Sequence, residues 1–185
     1  QHAGYFPGAQ PVHILMHVGT DGQILGAQAV GAEGVDRRID VIATAMRARL
    51  AAPDLMDLDL AYAPPYGQAK DPVNQTGMVA HNVLTGQLAL TGPNELTEDM
   101  PVLDVRTPAE YAQGHMPNSL NIPHTQLRDR LDEVQAWVDE EIGDRPFVVM
   151  CAAGVRSWIG YRIVRAAGFN VTMLSGGIQT LRAWL

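Results

Sequence analysis

Residues 147–157 read FVVMCAAGVRS, a four-residue apolar run followed by one cysteine and a series of small residues with an arginine. The run has the length of a buried strand, and residues 155–167 continue it with an amphipathic helical pattern. A strand-to-helix turn of small residues aims consecutive backbone N–H groups into one concavity, which the helix N-terminus reinforces. The segment therefore predicts an α/β unit in which Cys151 begins an anion-stabilising loop.

The second half of the chain extends this alternation of strands and helices. Such alternation is typical of βαβ units and a parallel sheet flanked by helices. The predicted strands are residues 102–105, 147–150 and 170–174, and the predicted helices are residues 108–113, 127–141, 155–167 and 178–185.

The first half has a different pattern, which predicts an α+β unit. Apolar runs at residues 12–18 and 24–30 flank an Asp-Gly turn and indicate an antiparallel hairpin. Three- and four-residue apolar spacing predicts a helix over residues 35–50. The sequence also predicts a short strand at 58–62 and a second helix at 73–84. We therefore predict two domains, residues 1–86 and 87–185, with a linker-like stretch at 91–94.

Composition excludes several classes of protein. A hydrophobic fraction of 46% supports a buried core, and no apolar run is long enough for a membrane span. The formal net charge of −7 argues against a nucleic-acid partner. A single cysteine excludes an intrachain disulfide and suits a reducing, cytoplasmic compartment. The chain opens at Gln1 without Met or a signal-peptide pattern, and we interpret it as the C-terminal part of a longer protein.

Cys151 is the candidate nucleophile of the second half. Its neighbours favour a stabilised thiolate, and Arg156 adds a planar donor fork suited to an anion. The alternative is a buried structural cysteine, which is the commoner fate of a lone thiol. The candidate substrate-binding residues of this loop are Ala152, Ala153, Gly154, Val155, Arg156 and Ser157.

The pattern Cys-x-x-Gly-x-Arg-Ser after an apolar strand resembles the active loop of the rhodanese family of sulfurtransferases. Matching segments are LDVRTPAEY at residues 103–111, GHMPNSLNIP at 114–123 and SGG at 175–177. The resemblance covers nearly all of residues 88–185 and implies a persulfide on Cys151 that is passed to a thiophilic acceptor. It gives mainly structural roles to a further polar set, Asp104, Arg106, Glu110 and His115.

The spacing of the loop also bears on phosphatase chemistry. Phosphatases related to this family place the arginine six positions after the cysteine, whereas Arg156 follows Cys151 by five. The smaller loop suits a sulfur atom better than a phosphoryl group, which leaves phosphatase activity as a third option.

Three segments of the first half resemble a second family. They are AGYFPG at residues 3–8, ILGAQAVG at 24–31 and AYAPPYGQAKDPVN at 61–74. They are similar to the dimerisation domain of flavin-dependent disulfide reductases, above all the coenzyme A-disulfide and persulfide reductases that carry a fused rhodanese domain. The resemblance implies a homodimer that acts on small-molecule thiols and persulfides of the coenzyme A type.

In that family FAD and NAD(P)H bind upstream domains, so the resemblance implies both cofactors for a full-length protein. This chain has no Gly-x-Gly-x-x-Gly, and we predict no cofactor site within it. The resemblance further suggests that Tyr5 and Tyr62, and less strongly Tyr66, reach the flavin site of the partner subunit. Packing at the core or the interface is the equal alternative for these tyrosines.

His13 and His17 lie four residues apart, a spacing that places a metal pair on a helix. The surrounding pattern is that of a strand, and we predict no metal site.

Two function hypotheses remain open from the sequence. The first is sulfur transfer through Cys151 within a flavoprotein coenzyme A-disulfide or persulfide reductase. The second is a non-catalytic dimerisation module whose loop binds an anion or thiol.

Overall fold

The computed structural model describes residues 6–184. The chain divides into two compact units, Gln1–Gln87 and Leu88–Leu185.

The first unit is built on an antiparallel hairpin. Strand β1 (Val12–Val18) pairs with β2 (Ile24–Gly31) around a turn in which Gly22 has a φ of +86°. Helices α1 (Val35–Arg47) and α2 (Pro72–Leu84) and a 3₁₀ segment (Ala52–Asp57) complete the unit. Its core joins one face of the hairpin to the helices and contains Ile24, Ile42, Ala45, Ala52, Leu55, Val73 and Ala80.

A buried ion pair ties α1 to α2. The Arg38 Nη2 atom lies 2.8 Å from Asp71 Oδ2, and Arg38 is 1% exposed. Asp71 also caps α2, because its Oδ1 atom accepts from the Val73 amide at 3.0 Å. One carboxylate thus satisfies a buried guanidinium and a free helix N–H group.

The strand predicted at residues 58–62 is wrong. These residues have no regular secondary structure. Backbone carbonyl groups in and before this segment accept hydrogen bonds from the side chain of Asn74 instead of from a neighbouring strand. Its Nδ2 atom donates to the carbonyl oxygens of Leu55 at 3.0 Å and Leu58 at 2.9 Å. Alternating hydrophobicity gave the segment two faces, but no partner strand pairs with its backbone.

The second unit contains a five-stranded parallel sheet. Its strands are β3 (Leu90–Thr91), β4 (Val102–Asp104), β5 (Ser119–Asn121), β6 (Phe147–Met150) and β7 (Val171–Leu174). The strand order is β3-β7-β6-β4-β5, so β6 is central. The linker predicted at residues 91–94 is wrong at its first position, because Thr91 belongs to β3 and is 8% exposed.

Helices flank this sheet, and the predicted α/β class is confirmed. They are α3 (Pro108–Ala112), α4 (Leu131–Trp137), which continues as a π-helical segment (Val138–Ile142), α5 (Val155–Ala166) and α6 (Gly177–Trp184). The helix predicted at residues 127–141 begins four residues later than expected, at Leu131. Residues 124–130 form successive turns instead, each closed by a backbone bond to the residue three positions earlier.

Alternate residues of β6 point to opposite faces of the sheet, as the pleat requires. Phe147 and Val149 join one core, while Val148 and Met150 join the core formed with α6. Gly160 lets α5 lie close to the sheet, since a Cβ atom there would come within 3.0 Å of Val105 Cγ1. Across residues 6–184, no helix combines the length and the apolar character needed to cross a membrane.

Candidate active site

Cys151 follows the last residue of the central strand and therefore lies at the carboxyl edge of the sheet. Four residues later α5 begins at Val155, with Gly154 as its N-cap at a φ of +124°. The residues between them form a sharp turn that only glycine adopts without strain at that position. Cys151 itself is 1% exposed and forms no disulfide.

Two polar groups surround the sulfur. The Gly154 amide donates to Cys151 Sγ at 3.1 Å, and Ser157 Oγ lies 3.4 Å from the same atom. The Ser157 hydroxyl donates to the Gly154 carbonyl at 2.8 Å, so its oxygen accepts from the thiol. Ser157 is fully buried. Both residues were predicted from the sequence to bind substrate, and in the structure both lie within hydrogen-bond distance of the sulfur.

The carbonyl groups of the first two residues of the loop accept hydrogen bonds from α6. The amides of Ile178 and Gln179 donate to the carbonyl oxygens of Cys151 at 2.9 Å and Ala152 at 3.1 Å. Gly177 permits this approach, because a Cβ atom on it would lie 2.6 Å from the Cys151 carbonyl oxygen. We call residues 151–157 the cysteine loop. Residues 175–179 pack against this loop, and we call them its second wall. They were not among the site residues predicted from the sequence, although SGG at residues 175–177 was recognised as a motif.

Arg156 lies at the rim of the cysteine loop and is turned toward Glu110. Its Nη1 and Nη2 atoms each donate to one Glu110 carboxylate oxygen at 2.7 Å. This hydrogen-bonded guanidinium holds the pKa of Glu110 well below its ordinary value. The carboxylate in turn raises the pKa of Arg156, with smaller contributions from the charges of Cys151 and Asp104. Both partners stay partly exposed, at 26% for Arg156 and 34% for Glu110.

Glu110 is itself held in place from two sides. Its carboxylate accepts from the Thr107 amide and hydroxyl at 3.0 and 2.8 Å, which completes a capping box on α3. Its carbonyl oxygen accepts from Arg106 Nη1 at 3.2 Å. Arg106 is paired in turn with the fully buried Asp104, with Nη2 2.6 Å from Oδ2. These bonds are those expected of residues that tie the segment after β4 to α3, the structural role predicted for Asp104 and Arg106.

Of the other loop candidates, Ala153 and Val155 are exposed, and Ala152 and Gly154 are half-buried. Val155 is 70% exposed at the start of α5. The rim around the sulfur is thus made of small and apolar side chains together with the Arg156–Glu110 pair. The sequence analysis gave Glu110 a structural role and did not predict its contact with Arg156, which lies 46 residues further along the chain.

The tyrosine candidates belong to the first unit. Tyr62 is 48% exposed and Tyr66 is 67% exposed, both in the irregular segment before α2. Tyr5 lies outside the described residues. His13 and His17 are exposed on β1. Within residues 6–184, no three His, Cys, Asp or Glu side chains are grouped to hold a metal ion.

The second unit is an α/β domain whose parallel sheet is covered by helices on both faces. Its cysteine lies in the loop between the central strand and the next helix. Residues 91–183, just over half of the chain, match the model of the rhodanese-like domain, and the chain belongs to this family.

Known proteins extend the similarity over the first unit. A coenzyme A disulfide reductase of Staphylococcus aureus is 48% identical over 80 residues, which cover 43% of this chain and 18% of that protein. The reduced CoADR-RHD of Bacillus anthracis is 40% identical with a TM-score of 0.87, over 97% of this chain and 32% of that one. A NAD-dependent persulfide reductase from A. fulgidus is 39% identical with a TM-score of 0.83, over 96% and 31%. The chain therefore spans less than a third of the length of these relatives.

Proposed function

We propose that the second unit is a sulfurtransferase that carries sulfur as a persulfide on Cys151. The observation that supports this most directly is the hydrogen bond from the Gly154 amide to Cys151 Sγ at 3.1 Å, inside a loop that opens an α-helix. Backbone N–H groups at a helix N-terminus favour a negative ligand, and both the thiolate and the persulfide are negative. A hydrogen bond to a charged group is worth roughly 1.5–3 kcal/mol.

The proposed reaction has two displacements without net oxidation or reduction. The Cys151 thiolate attacks the outer sulfur of a donor R–S–SH, an S–S bond forms on Cys151, the donor S–S bond breaks, and R–S⁻ leaves. An acceptor nucleophile then attacks the outer sulfur of the Cys151 persulfide, takes that sulfur, and releases the Cys151 thiolate. Neither step requires a general acid at the sulfur, in keeping with the Gly154 amide and the Ser157 hydroxyl as its polar neighbours in the structure.

Thiosulfate and cyanide test this proposal on the chain itself. Cys151→Ser should abolish thiocyanate formation, because the serine hydroxyl forms no persulfide and the sequence contains no other cysteine. Thiosulfate would leave sulfite behind and cyanide would carry the sulfur away as thiocyanate. A circular dichroism spectrum equal to that of the parent excludes unfolding as the cause. Thiocyanate formation by the serine variant at the parent rate would refute the proposal.

The near-complete burial of Cys151 favours the second candidate function, a loop that binds an anion or thiol without turnover. Slow alkylation of Cys151 at neutral pH, together with no mass gain of one sulfur after incubation with a sulfane donor, would establish that candidate. Fast alkylation and a persulfide mass would reject it.

We further propose that the chain serves within a longer cytoplasmic flavoprotein, an FAD- and NAD(P)H-dependent reductase of coenzyme A-type disulfides and persulfides. Its similarity to the Bacillus anthracis and A. fulgidus proteins over nearly its whole length supports this. The chain has no dinucleotide-binding glycine motif, so its own residues do not fit FAD or NAD(P)H. In the homodimer, Tyr5 and Tyr62 would orient the thiol substrate for the partner subunit.

Tyr62→Phe in the longer protein tests the tyrosine proposal. Loss of the hydroxyl should slow persulfide-dependent NAD(P)H oxidation while light scattering still gives the mass of a dimer. Unchanged turnover would remove Tyr62 from the site.

A further inference from the structure

The charges around Cys151 cancel in pairs. Asp104 is bound to Arg106, and Glu110 is bound to Arg156 through both terminal nitrogens at 2.7 Å. Among these four residues no arginine charge is left unbalanced, and the group that donates to the sulfur is the Gly154 amide, a backbone dipole.

Glu110 is preorganised for this pairing, whereas Arg156 is a flexible side chain at the rim. The Thr107 amide and hydroxyl bind the Glu110 carboxylate, and the Arg106 guanidinium binds the Glu110 carbonyl oxygen. These bonds hold Glu110 in place independently of Arg156. The position of the guanidinium is consequently dictated by Glu110. Arg156 belongs to the cysteine loop, and the charge of Cys151 contributes to the raised pKa of its guanidinium, so the two groups interact.

We propose that Glu110 is a specificity-determining positioning residue for Cys151, which cancels the charge of Arg156 and so disfavours small inorganic dianions. The loop then selects sulfur donors whose reacting end carries little charge, namely organic persulfides. Val155 in the cysteine loop and Ile159, four residues further along α5, are 70% and 42% exposed and offer such a donor an apolar surface. This inference rests on the proposed sulfur transfer for its substrate class.

Alkylation of Cys151 by iodoacetate and by iodoacetamide tests the charge effect without requiring sulfur transfer. The two reagents differ by one negative charge, and Cys151 is the single cysteine in the sequence, so the ratio of their rates measures the local potential. Glu110→Gln keeps an acceptor for the capping box and leaves Arg156 uncompensated. It should raise the iodoacetate-to-iodoacetamide ratio about threefold to tenfold, as one nearby unit charge does through solvent.

Three further variants complete the test. Arg156→Gln should lower the ratio by a similar factor, because the Glu110 carboxylate is then unpaired. The double variant Glu110→Gln with Arg156→Gln should return to within about twofold of the parent. Glu133→Gln is the matched control, since Glu133 forms an equally short two-point pair with Arg130 at 2.6 and 2.7 Å on α4, and it should leave the ratio unchanged.

Thiosulfate kinetics connect the charge to specificity. Glu110→Gln should lower the KM for thiosulfate about threefold to tenfold while kcat changes less. The inference is overturned if Glu110→Gln alters neither the alkylation ratio nor this KM, or if the double variant stays at the level of Arg156→Gln. Failure of the parent to gain the mass of one sulfur on Cys151 from an organic persulfide would instead overturn the sulfur-transfer proposal, and the alkylation ratios would still decide whether Glu110 controls the charge.

Discussion

Ser157 and Cys151 share a small, closed hydrogen-bond network. In the thiol state the serine hydroxyl donates to the Gly154 carbonyl and its oxygen accepts from Sγ. A negative sulfur offers no proton, so we expect the hydroxyl to rotate and donate to it. Ser157→Ala should therefore slow sulfur transfer about tenfold, the loss of one charge-assisted hydrogen bond.

Thiocyanate formation from thiosulfate and cyanide measures this effect. Thr172→Val serves as the control, because it removes a hydroxyl of the same sheet, bonded to Thr91 at 2.6 Å, and should leave turnover unchanged. Equal turnover in both variants would show that the serine hydroxyl does not stabilise the reacting sulfur.

The Glu110–Arg156 pair makes stability depend on pH in a defined direction. Arg156, ahead of the Thr107 donors, holds the pKa of Glu110 below its ordinary 4.5, so the folded chain binds this proton less readily than the unfolded chain. The contribution is fully present above pH 4.5 and is lost as pH falls from 4.5 through the pKa of the folded state. Because both side chains are partly exposed, the contribution should stay below about 1 kcal/mol.

Urea unfolding of the parent and of Glu110→Gln at several pH values tests the direction. The difference in free energy of unfolding should be constant between pH 6 and 8 and should shrink below pH 4.5. A difference that does not change with pH would mean that the ionised pair contributes nothing to stability.

Sequence reasoning predicted which residues form the cysteine loop but not all of their geometry. Cys151, Gly154 and Ser157 lie within seven consecutive residues, so local turn geometry alone brings them together. The orientation of Arg156 depends on Glu110, which reaches it through the fold of β4 and α3. A contact between distant segments leaves no periodicity or spacing in the sequence. The Arg156 guanidinium was expected to face an anionic substrate, and in the structure it is bonded to the carboxylate of another side chain.

At the scale of elements, the turn between β7 and α6 shapes the site as much as the cysteine loop does. Gly177 has a φ of +64°, and a Cβ atom there would lie 2.6 Å from backbone atoms of Cys151 and Ala152. Gly177→Ala should lower the free energy of unfolding by about 2 kcal/mol or more and also change the reactivity of Cys151, since the loop must move to avoid the methyl group.

Gly168→Ala separates the effect of backbone strain from the effect of a steric collision. Gly168 has a φ of +96° with open space around the position of a Cβ atom, so its substitution adds backbone strain without a collision. It should cost about 1–2 kcal/mol and leave Cys151 alkylation unchanged. Urea denaturation and alkylation rates check both variants, and identical behaviour would show that the second wall does not constrain the loop.

Length and pairing explain which elements the sequence predicts. The hairpin and α5 have clear hydrophobic periods, and the central strand is an unbroken apolar run. The observed bounds of all of them lie within one residue of the expected ones. Strands β3 and β5 have two and three residues, which is too few for an alternation to be visible. Their strand character comes from pairing with β7 and β4 and therefore depends on the rest of the fold.

At the scale of the whole molecule, the hairpin face opposite the core is uncovered within the first unit, and it carries exposed apolar side chains beside His13 and His17. Leu15, Leu25 and Val30 are 51%, 60% and 72% exposed. Exposed apolar side chains clustered on one surface are typical of interaction sites, which supports the homodimer expected from the sequence.

Light scattering at high micromolar concentration should give twice the mass of one chain. Leu15→Glu combined with Val30→Glu should reduce it to the mass of one chain, whereas Val79→Glu, a 40% exposed apolar position on α2, should not. A monomeric parent would contradict the prediction.

The bonds from Ile178 and Gln179 to the cysteine loop also set the order in which the site is completed during synthesis. A nascent chain that has left the ribosome only as far as Ser157 contains the cysteine and its helix-opening turn, but not the amides that hold the loop carbonyls. Domains form as their last required segment emerges, so the cradle is finished more than twenty residues after the cysteine itself. Until then the thiol is exposed to the reagents of the cell without its second wall, and rapid emergence of residues 158–179 shortens that interval.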